Sequence, residues 1–357
     1  MTRAVRLTGP RSIDVTTIAA PALRLGELRV RTLASGVSTG TELTAYRGTN
    51  PNLTSRWDPH LHLFMGAEGP PSYPLTGWGY SEVGEVVEIS PLDDAGGGGS
   101  EADIRVGDVV WGIWGHVSDA VLPIERLRGH KLPHGLDPVV GCFARVGAIA
   151  LNAVLAADAG LGETVVVVGQ GVIGLLATSF AAQSGARVIA VEGIPARREL
   201  ALQLGAHEAI GPGPNVAPTI RERTSGRGAD VAIELSGVVT ALHEAIRLVG
   251  PDGRVVAAGF YQGGASDLRL GEEFHHNRVE VVASQIGAVP PHKRARWDVP
   301  RLQGTVVGLL ASGQPDVTRL VSHRFDIEDA ARAYELLDTE PATALQVVFE
   351  FPAGAVP

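Results

Sequence analysis

Residues 165–192 read VVVVGQGVIGLLATSFAAQSGARVIAVE, and this stretch decides the fold of the second half of the chain. Its first four residues are valines, an apolar run of the length of a buried strand. A glycine-rich turn follows at once, a helical pattern runs over residues 172–184, and Gly185 ends it. Residues 187–191 form a second apolar run, which ends at Glu192. This order of strand, turn, helix and strand predicts part of a parallel α/β sheet.

The turn fits the pattern G-x-G-x-x-G, and each of its glycines has a mechanical reason. The first allows a tight turn off the strand, the second lets a pyrophosphate approach the backbone, and the third lets helix and strand pack closely. The N-terminus of the helix directs free N–H groups and a partial positive charge at the phosphates. The motif therefore predicts a dinucleotide site that includes Gly169, Gly171, Val172, Ile173 and Gly174.

The acid at the end of the second strand indicates which dinucleotide binds. Glu192 lies 23 residues after Gly169 and can accept hydrogen bonds from an adenosine ribose diol. Because a carboxylate repels a 2′-phosphate, NAD(H) is favoured. Arg197 and Arg198 follow closely and leave NADP(H) as an alternative, although they also suit a solvated start of a helix.

The composition is that of a soluble globular enzyme of about two domains. Of the 357 residues, 45% are hydrophobic and 19% charged; the net charge of −9 and the absence of a basic run argue against a nucleic-acid partner. The single cysteine, Cys142, excludes an internal disulfide and a multi-cysteine zinc site. With no signal peptide and no apolar run of about 18 residues, the sequence predicts no membrane span and a cytoplasmic location.

The two halves of the chain differ in pattern. Residues 1–130 consist of short strand-like runs and turns, as in a partly open β-barrel. Strands alternate with helices from about residue 164, which predicts a doubly wound parallel sheet. We expect a long surface loop over residues 47–76 and a flexible, glycine-rich loop over residues 93–103.

The motifs VGQGVIG, GARVIAVE, QLGA and GDVVWG resemble those of the medium-chain dehydrogenase/reductase superfamily, over nearly the whole chain. The STGTE loop and FHHNRVEVVASQIG resemble a zinc-type subgroup that includes bacteriochlorophyllide dehydrogenases. The resemblance implies an α/β protein with a GroES-like catalytic domain, residues 1–150 and 288–357, and a Rossmann domain, residues 151–287. It also implies a homodimer formed near residues 279–286.

The zinc ligands of that superfamily have no counterpart in the sequence. Aligned by motif, Thr39 stands where zinc-using relatives have a cysteine, and Tyr80 where they have a histidine, followed by Ser81 in place of an acid. Arg145 stands where they often have a glutamate. Because Zn²⁺ prefers thiolate, imidazole or carboxylate ligands, we expect no catalytic or structural zinc.

Hydride transfer without zinc still needs a group that polarises or deprotonates the substrate oxygen. Thr41 matches a hydroxyl that relays a proton in relatives, and Tyr80 is a candidate proton donor. Arg145 restores positive charge where the metal was. Glu42 is a candidate base or orienting group, and His116 is a candidate substrate contact. Each of these side chains also has a plain packing or capping interpretation.

Other candidate contacts lie at the carboxyl ends of predicted strands, where α/β sheets bind ligands. For the cofactor these are Ser236, Gly237, Gly259, Ser284 and Gln285. Loop position alone nominates candidates for the substrate pocket, namely Trp57, His60, His62, Trp78, Trp114 and Arg296.

The sequence thus predicts an NAD-dependent dehydrogenase that interconverts a polar secondary alcohol, such as a sugar, a cyclitol or a biosynthetic intermediate, and its ketone. The partner is a small-molecule substrate, with no nucleic acid and no membrane. One alternative is a zinc-free reductase of activated C=C bonds, like the quinone and enoyl reductases. Another is an enzyme that retains bound NAD without net redox change.

Overall fold

The computed structural model describes residues 1–66, 72–91 and 104–351, so the predicted loop at 93–103 lies outside the described residues. The chain divides into two compact units, Met1–Arg145 with Asp316–Pro357, and Val146–Pro315. The second unit therefore extends beyond the predicted boundary at residue 288. One reason is that the helix Val299–Ala311 belongs to it: a Cβ placed on Gly147 would lie 2.5 Å from the Val306 side chain.

The helices and strands are numbered in chain order. The helices are α1 (Thr41–Arg47), α2 (Ala144–Ala157), α3 (Val172–Gln183), α4 (Pro195–Gln203), α5 (Val216–Arg223), α6 (Val239–Leu248), α7 (Val299–Ala311) and α8 (Ala330–Thr339). The strands are β1 (Thr2–Gly9), β2 (Ser12–Ile18), β3 (Glu27–Val37), β4 (Ser55–Asp58), β5 (Leu63–Gly66), β6 (Leu75–Thr76), β7 (Glu82–Ile89), β8 (Val109–Gly112), β9 (Asp119–Pro123), β10 (Thr164–Val168), β11 (Arg187–Val191), β12 (Glu208–Ile210), β13 (Ala229–Glu234), β14 (Val249–Ala257), β15 (Glu280–Ala283), β16 (Val321–Asp326) and β17 (Gln346–Glu350).

The unit Val146–Pro315 contains the predicted parallel sheet. Its six strands lie in the order β12-β11-β10-β13-β14-β15, and every neighbouring pair is parallel. All five residues of β10 are buried, as expected of a central strand that is covered on both faces. The order reverses at β10, because β11 and β12 lie on one side of it and β13 to β15 on the other. Ligands bind at such a switch point in open α/β sheets.

The other unit is built from β-strands with two helices, α1 and α8. One sheet has the order β16-β17-β3-β7-β8, with β9 also paired to β3, and a second has the order β2-β1-β6. Strand β3 lies between β7 and β17 and pairs with both in antiparallel fashion, so it reaches both cores of this unit. The predicted α/β class, with a β-rich barrel-like domain and a Rossmann-type domain, is confirmed.

The structure corrects the prediction for residues 47–76 and bears on the prediction of no membrane span. The long loop expected over residues 47–76 contains the β4–β5 hairpin, in which polar, aromatic and apolar residues alternate too irregularly to predict a strand. Residues 138–157, which contain no uninterrupted apolar run of about 18 residues, nevertheless form a helical segment of sufficient length and apolarity to cross a membrane. As in a core helix, 83% of that segment is buried inside the protein. The cytoplasmic location stays a prediction.

Candidate active site

The glycine-rich turn has the geometry that its sequence predicts. Gly169 has a φ of +87°, and a Cβ there would lie 2.8 Å from the backbone N of Ser236. A Cβ on Gly174 would lie 1.9 Å from the carbonyl oxygen of Gly169, so only glycine lets α3 begin this close to β10. Gly171, by contrast, faces open space on the side of its missing Cβ. The turn therefore has room for a pyrophosphate beside Gly171 and the first turn of α3.

Glu192 lies beside this turn and is held by the backbone. One carboxylate oxygen accepts a hydrogen bond from the N–H of Gln170 at 2.7 Å, and the other accepts one from the N–H of Ile194 at 2.9 Å. Each oxygen keeps a further lone pair, so both can accept ribose hydroxyls. Arg198 donates to the carbonyl oxygens of Glu192 and Gly193, which commits one of its nitrogens to the backbone.

A cavity of about 310 Å³ lies at the carboxyl end of β12 and is lined by residues 210–216 and Thr219. The N–H of Glu192 donates to the carbonyl oxygen of Ile210, so the cavity lies next to the end of β11. Arg197 is partly buried, and burial lowers the pKa of its guanidinium against the opposing effect of the Glu192 carboxylate. The cavity, Glu192 and the glycine-rich turn together fit an adenosine diphosphate.

The carboxyl end of β13 carries a buried acid that sequence reasoning missed. Both the N–H and the hydroxyl of Ser236 donate to one oxygen of Glu234, and Tyr261 and the N–H of Gly237 donate to the other. Burial raises the pKa of Glu234 despite these donors. A Cβ on Gly259 would lie 2.4 Å from the N of Gly237, so the two turns touch here. Glu234 thus ties together the predicted contacts Ser236, Gly237 and Gly259.

Ser284 and Gln285 follow β15, the outermost strand at this end of the sheet. The Asn152 amide donates to the Ser284 hydroxyl at 3.4 Å and to the carbonyl oxygen of Gln285 at 3.3 Å. Ser284 is partly buried and lies at the same carboxyl edge as Ser236. The structure therefore places every predicted cofactor residue at one end of one sheet.

In the other unit, Tyr80 lies beside two hydroxyl side chains and a cation. Its hydroxyl oxygen is 2.6 Å from the Ser38 Oγ, and the N–H of Thr41 donates to that Oγ at 3.3 Å. Burial raises the pKa of Tyr80, while hydrogen bonds to Ser38 and Thr41 and the charge of Arg145 lower it. Arg145, in the first turn of α2, forms no ion pair with any residue that the structure describes. The site thus combines an ionisable phenol with an unpaired cation.

The buried carboxylate of Glu42 holds Ser38, which contacts Tyr80, in position. It is fully buried, and its Oε2 lies 2.7 Å from the His116 Nε2 and accepts a hydrogen bond of 2.7 Å from the Tyr334 hydroxyl. Its Oε1 accepts the N–H of Ser38 at 3.0 Å. Glu42 therefore orients Tyr80 through Ser38 and does not pair with Arg145. Tyr334 lies 292 residues away in sequence, so no local pattern pointed to it.

His116 does not reach the surface, which corrects the expectation of a substrate contact. Its exposed fraction is 0%, and its ring stacks edge-on against Phe349. Its Nδ1 is 2.7 Å from the Ser35 Oγ, so Ser35, His116 and Glu42 form a line like that of a hydrolase triad. Ser35 is equally buried and lies within the paired part of β3, so no substrate reaches its hydroxyl. These three residues therefore form a buried structural network of hydrogen bonds.

Glu82 is a second buried acid in this cluster, and sequence reasoning missed it. Its Oε2 accepts the N–H of Trp114 at 2.8 Å, but its Oε1 has no partner among the described residues. Burial raises the pKa of Glu82 to about 7. The charge of His116 and the hydrogen bond from the Trp114 N–H act in the opposite direction and lower this pKa. Gly79 covers the group closely, since a Cβ on it would lie 2.8 Å from the Glu82 Oε1.

Glu82→Gln is expected to stabilise the protein above neutral pH. The folded pKa of about 7 exceeds the usual 4.5, so the wild type loses stability as pH rises from 4.5 to 7. The free energy of unfolding of Glu82→Gln relative to that of the wild type should increase by about 3 kcal/mol between pH 4.5 and pH 7. Urea unfolding at pH 5 and pH 8 measures it, with the exposed Glu88→Gln as the control. A constant gap contradicts the prediction.

The remaining predicted residues have no recorded contact with Tyr80 or Ser38. Thr39 is exposed, and His60, His62 and Trp57 lie on the exposed β4–β5 hairpin. Trp78 packs against the core, and Trp114 donates to the Thr32 hydroxyl at 2.9 Å. Arg296 belongs to the second unit and is exposed.

Sequence alignment predicts Thr39, Tyr80 and Arg145 at the metal positions of zinc-using relatives. None of these side chains is a thiolate, an imidazole or a carboxylate, so the donor set does not fit zinc. In residues 1–66, 72–91 and 104–351 no group of three or more His, Cys, Asp and Glu side chains is arranged to hold a metal ion.

A parallel sheet with a dinucleotide-type glycine turn, joined to a β-rich unit with ionisable side chains, defines a two-domain nicotinamide-dependent enzyme. Residues 172–302 match the family described as zinc-binding dehydrogenase. D-guloside 3-dehydrogenase of Shigella flexneri is 27% identical over 353 residues, which are 96% of this chain and 98% of that protein. These similarities support membership of the medium-chain dehydrogenase/reductase superfamily and an NAD(P)-dependent dehydrogenase activity.

Two further comparisons agree. The 2-dehydro-3-deoxy-L-galactonate 5-dehydrogenase of Pseudoalteromonas atlantica is 26% identical over 347 residues, covering 95% of this chain and 96% of that protein. A dehydrogenase of Sinorhizobium meliloti 1021, solved with bound NADP, has a TM-score of 0.76 and 23% identity over 98% of this chain and 99% of its own. The two relatives are named for oxidation of a sugar or sugar acid, and the solved structure shows the shared fold.

Proposed function

We propose that this protein is a zinc-independent, NAD(H)-dependent oxidoreductase that interconverts a polar secondary alcohol and its ketone. The observation that carries the proposal is the Tyr80 hydroxyl, which lies beside Ser38, Thr41 and Arg145. Sequence alignment predicts that Tyr80 and Arg145 stand at positions that hold zinc in relatives. The names of the two relatives support a sugar or sugar acid as the substrate.

The chain's own residues supply the proton chemistry. When bound, the nicotinamide supplies the hydride acceptor or donor. In alcohol oxidation, the Tyr80 phenolate oxygen takes the hydroxyl proton as the carbinol C–H bond breaks; in ketone reduction, the Tyr80 phenol returns it. Arg145 stabilises the negative charge that develops on the substrate oxygen, which is the task of zinc elsewhere. Thr41 hydrogen-bonds to Tyr80 and lowers its pKa, which favours the base form.

The experiment is turnover with NAD⁺ and with NADP⁺ on D-gulosides and on 2-dehydro-3-deoxy-L-galactonate, using enzyme whose metal content has been measured. Turnover that withstands a chelator, with far less than one zinc per chain, supports the proposal. Activity restored only by added Zn²⁺ refutes zinc independence. Reduction of an enone but not of ketones favours the C=C reductase, and bound NAD without net reduction favours the non-redox alternative.

The preference for NAD(H) rests on Glu192 and on the cavity next to it. The Glu192 carboxylate is held by hydrogen bonds from Gln170 in the turn and from Ile194, and a 2′-phosphate beside it would meet its negative charge. Arg198 donates hydrogen bonds to backbone carbonyl oxygens, and this structural role competes with the binding of a 2′-phosphate.

Glu192→Gln is expected to lower the preference for NAD over NADP by at least about tenfold in kcat/KM. The amide keeps one acceptor oxygen but removes the charge that repels a 2′-phosphate, and a charged hydrogen bond is worth about 1.5–3 kcal/mol. Steady-state kinetics with both cofactors measures the change. Glu199→Gln, an exposed acid on α4, is the matched control. A wild type that prefers NADP contradicts the proposal.

We also propose a homodimer formed along β15. This strand is the outer edge of the six-stranded sheet, and Val281 on it is 39% exposed. An apolar, unpaired strand edge favours pairing with another chain. Light scattering should give twice the chain mass of 37.3 kDa, and a mass of one chain refutes the dimer.

A further inference from the structure

Ser38 connects Tyr80 to the buried interior of its unit through hydrogen bonds. It follows the end of β3 at Val37 and precedes α1, which begins at Thr41. In this short connection its side chain bonds to Tyr80, and its backbone N–H bonds to Glu42. We infer that Ser38 is a positioning residue, whose hydroxyl donates to the Tyr80 oxygen and so directs the Tyr80 proton toward the substrate oxygen. This inference rests on the proposed function.

The direction of the Ser38–Tyr80 hydrogen bond is open while Tyr80 is neutral, when either hydroxyl can donate, and is determined once Tyr80 is a phenolate. The N–H of Thr41 donates to the Ser38 Oγ, which therefore acts as an acceptor on that side. The hydroxyl proton of Ser38 remains to be donated, and its near neighbour is the Tyr80 oxygen at 2.6 Å. If Ser38 donates, Tyr80 keeps its own proton free for a third partner. In the phenolate state Ser38 must be the donor, because the phenolate oxygen only accepts.

The buried cluster beneath holds Ser38 in position. Glu42 accepts the Ser38 N–H at 3.0 Å and is itself held by His116 and Tyr334, each at 2.7 Å. Glu42 and Tyr334 are at most 1% exposed, so their positions are set by packing. Since the Ser38 Cα is held from inside, its hydroxyl meets Tyr80 in one geometry, as a pre-organised donor must.

Four groups around Tyr80 decide how it titrates. Burial raises its pKa most, and the negative charge of Glu42 raises it further. The hydrogen bonds of Ser38 and Thr41 and the positive charge of Arg145 lower it. A donor to the phenolate stabilises the base form, so loss of the Ser38 hydroxyl makes Tyr80 a poorer base at a given pH.

The test is Ser38→Ala, which removes the hydroxyl and keeps the N–H bond to Glu42. In alcohol oxidation, the pH at which kcat reaches half its maximum should rise by about one unit. Below that pH, kcat should fall about tenfold, while KM and the Kd for NADH change less than about twofold. Phenolate absorbance, taken as the difference between wild type and Tyr80→Phe, should show the same upward shift in the resting enzyme.

Two controls make the result specific. Ser38→Thr restores the hydroxyl and should restore both the rate and the pH profile. Ser12→Ala removes an exposed serine–threonine hydrogen bond of 2.7 Å in the same unit and should leave both unchanged. An unshifted profile in S38A, or a shift that S38T does not reverse, overturns the inference. If Y80F keeps wild-type turnover, the proposed function fails; if Y80F is inactive and S38A is normal, only the role of Ser38 fails.

Discussion

Tyr80→Phe is expected to lower kcat for alcohol oxidation by about a hundredfold or more, with little change in the Kd for NADH. A positioned acid or base contributes about 10²–10⁴-fold to a proton transfer. The Tyr80 oxygen is an ionisable group close to Ser38, Thr41 and Arg145, and phenylalanine removes it while keeping the ring. Steady-state kinetics and a cofactor titration by fluorescence measure the two effects separately.

Tyr73→Phe is the matched control for this prediction. Tyr73 is also partly exposed and lies in the same unit, but its hydroxyl donates to the carbonyl oxygen of Ala45. Its loss should cost about 1 kcal/mol of folding free energy and leave kcat unchanged. A Y80F enzyme with normal kcat shows that another group carries the proton, and a Y73F enzyme as slow as Y80F points to a packing effect.

Gly174→Ala should abolish cofactor binding and destabilise the protein, whereas Gly171→Ala should affect only the cofactor. The new Cβ at residue 174 would lie 1.9 Å from the Gly169 carbonyl oxygen, so α3 would have to move away from β10. Overpacking of this kind costs about 1–3 kcal/mol or more. At residue 171 the new Cβ meets nothing in the protein, so only a ligand approaching the backbone can clash with it.

Thermal unfolding without cofactor and fluorescence titration with NADH distinguish the two variants. We expect G171A to unfold at the wild-type temperature and to bind NADH at least about tenfold more weakly, a change of about 1.4 kcal/mol. If G174A fails to fold, G171A alone still tests the site. Wild-type affinity in G171A would show that no pyrophosphate approaches Gly171.

Much of the nucleotide-binding unit follows from local sequence. The strand over residues 165–168, the helix from Val172 and the strand over residues 187–191 are confirmed within one or two residues. Buried parallel strands are continuous apolar runs, and the glycines of the turn are required by backbone geometry. Such constraints act between near neighbours in the chain, so a short stretch of sequence records them.

The β-rich unit is harder to predict from sequence, because its strands are short and its contacts join residues that are distant in the chain. The hairpin of β4 and β5 was predicted as a loop, since its exposed residues show no alternation. The boundary between the two units lies later in the chain than predicted, because α7 packs within the nucleotide-binding unit. The helical pattern of residues 301–311 does not show which unit the helix joins. A helix pattern shows which face is apolar, but not which surface covers it.

At the candidate active site, sequence alignment nominates Tyr80 and Arg145 because they replace metal-binding residue types, and Thr41 because it matches a proton-relay hydroxyl. Tertiary structure alone decided how they are supported. Ser38 binds Tyr80 across 42 residues, and Tyr334 reaches Glu42 across 292. It also showed that His116, a candidate substrate contact or packing residue by sequence, is fully buried. Residue type sets what a side chain can do chemically, whereas burial and hydrogen-bond partners come from strands and helices that only folding brings together.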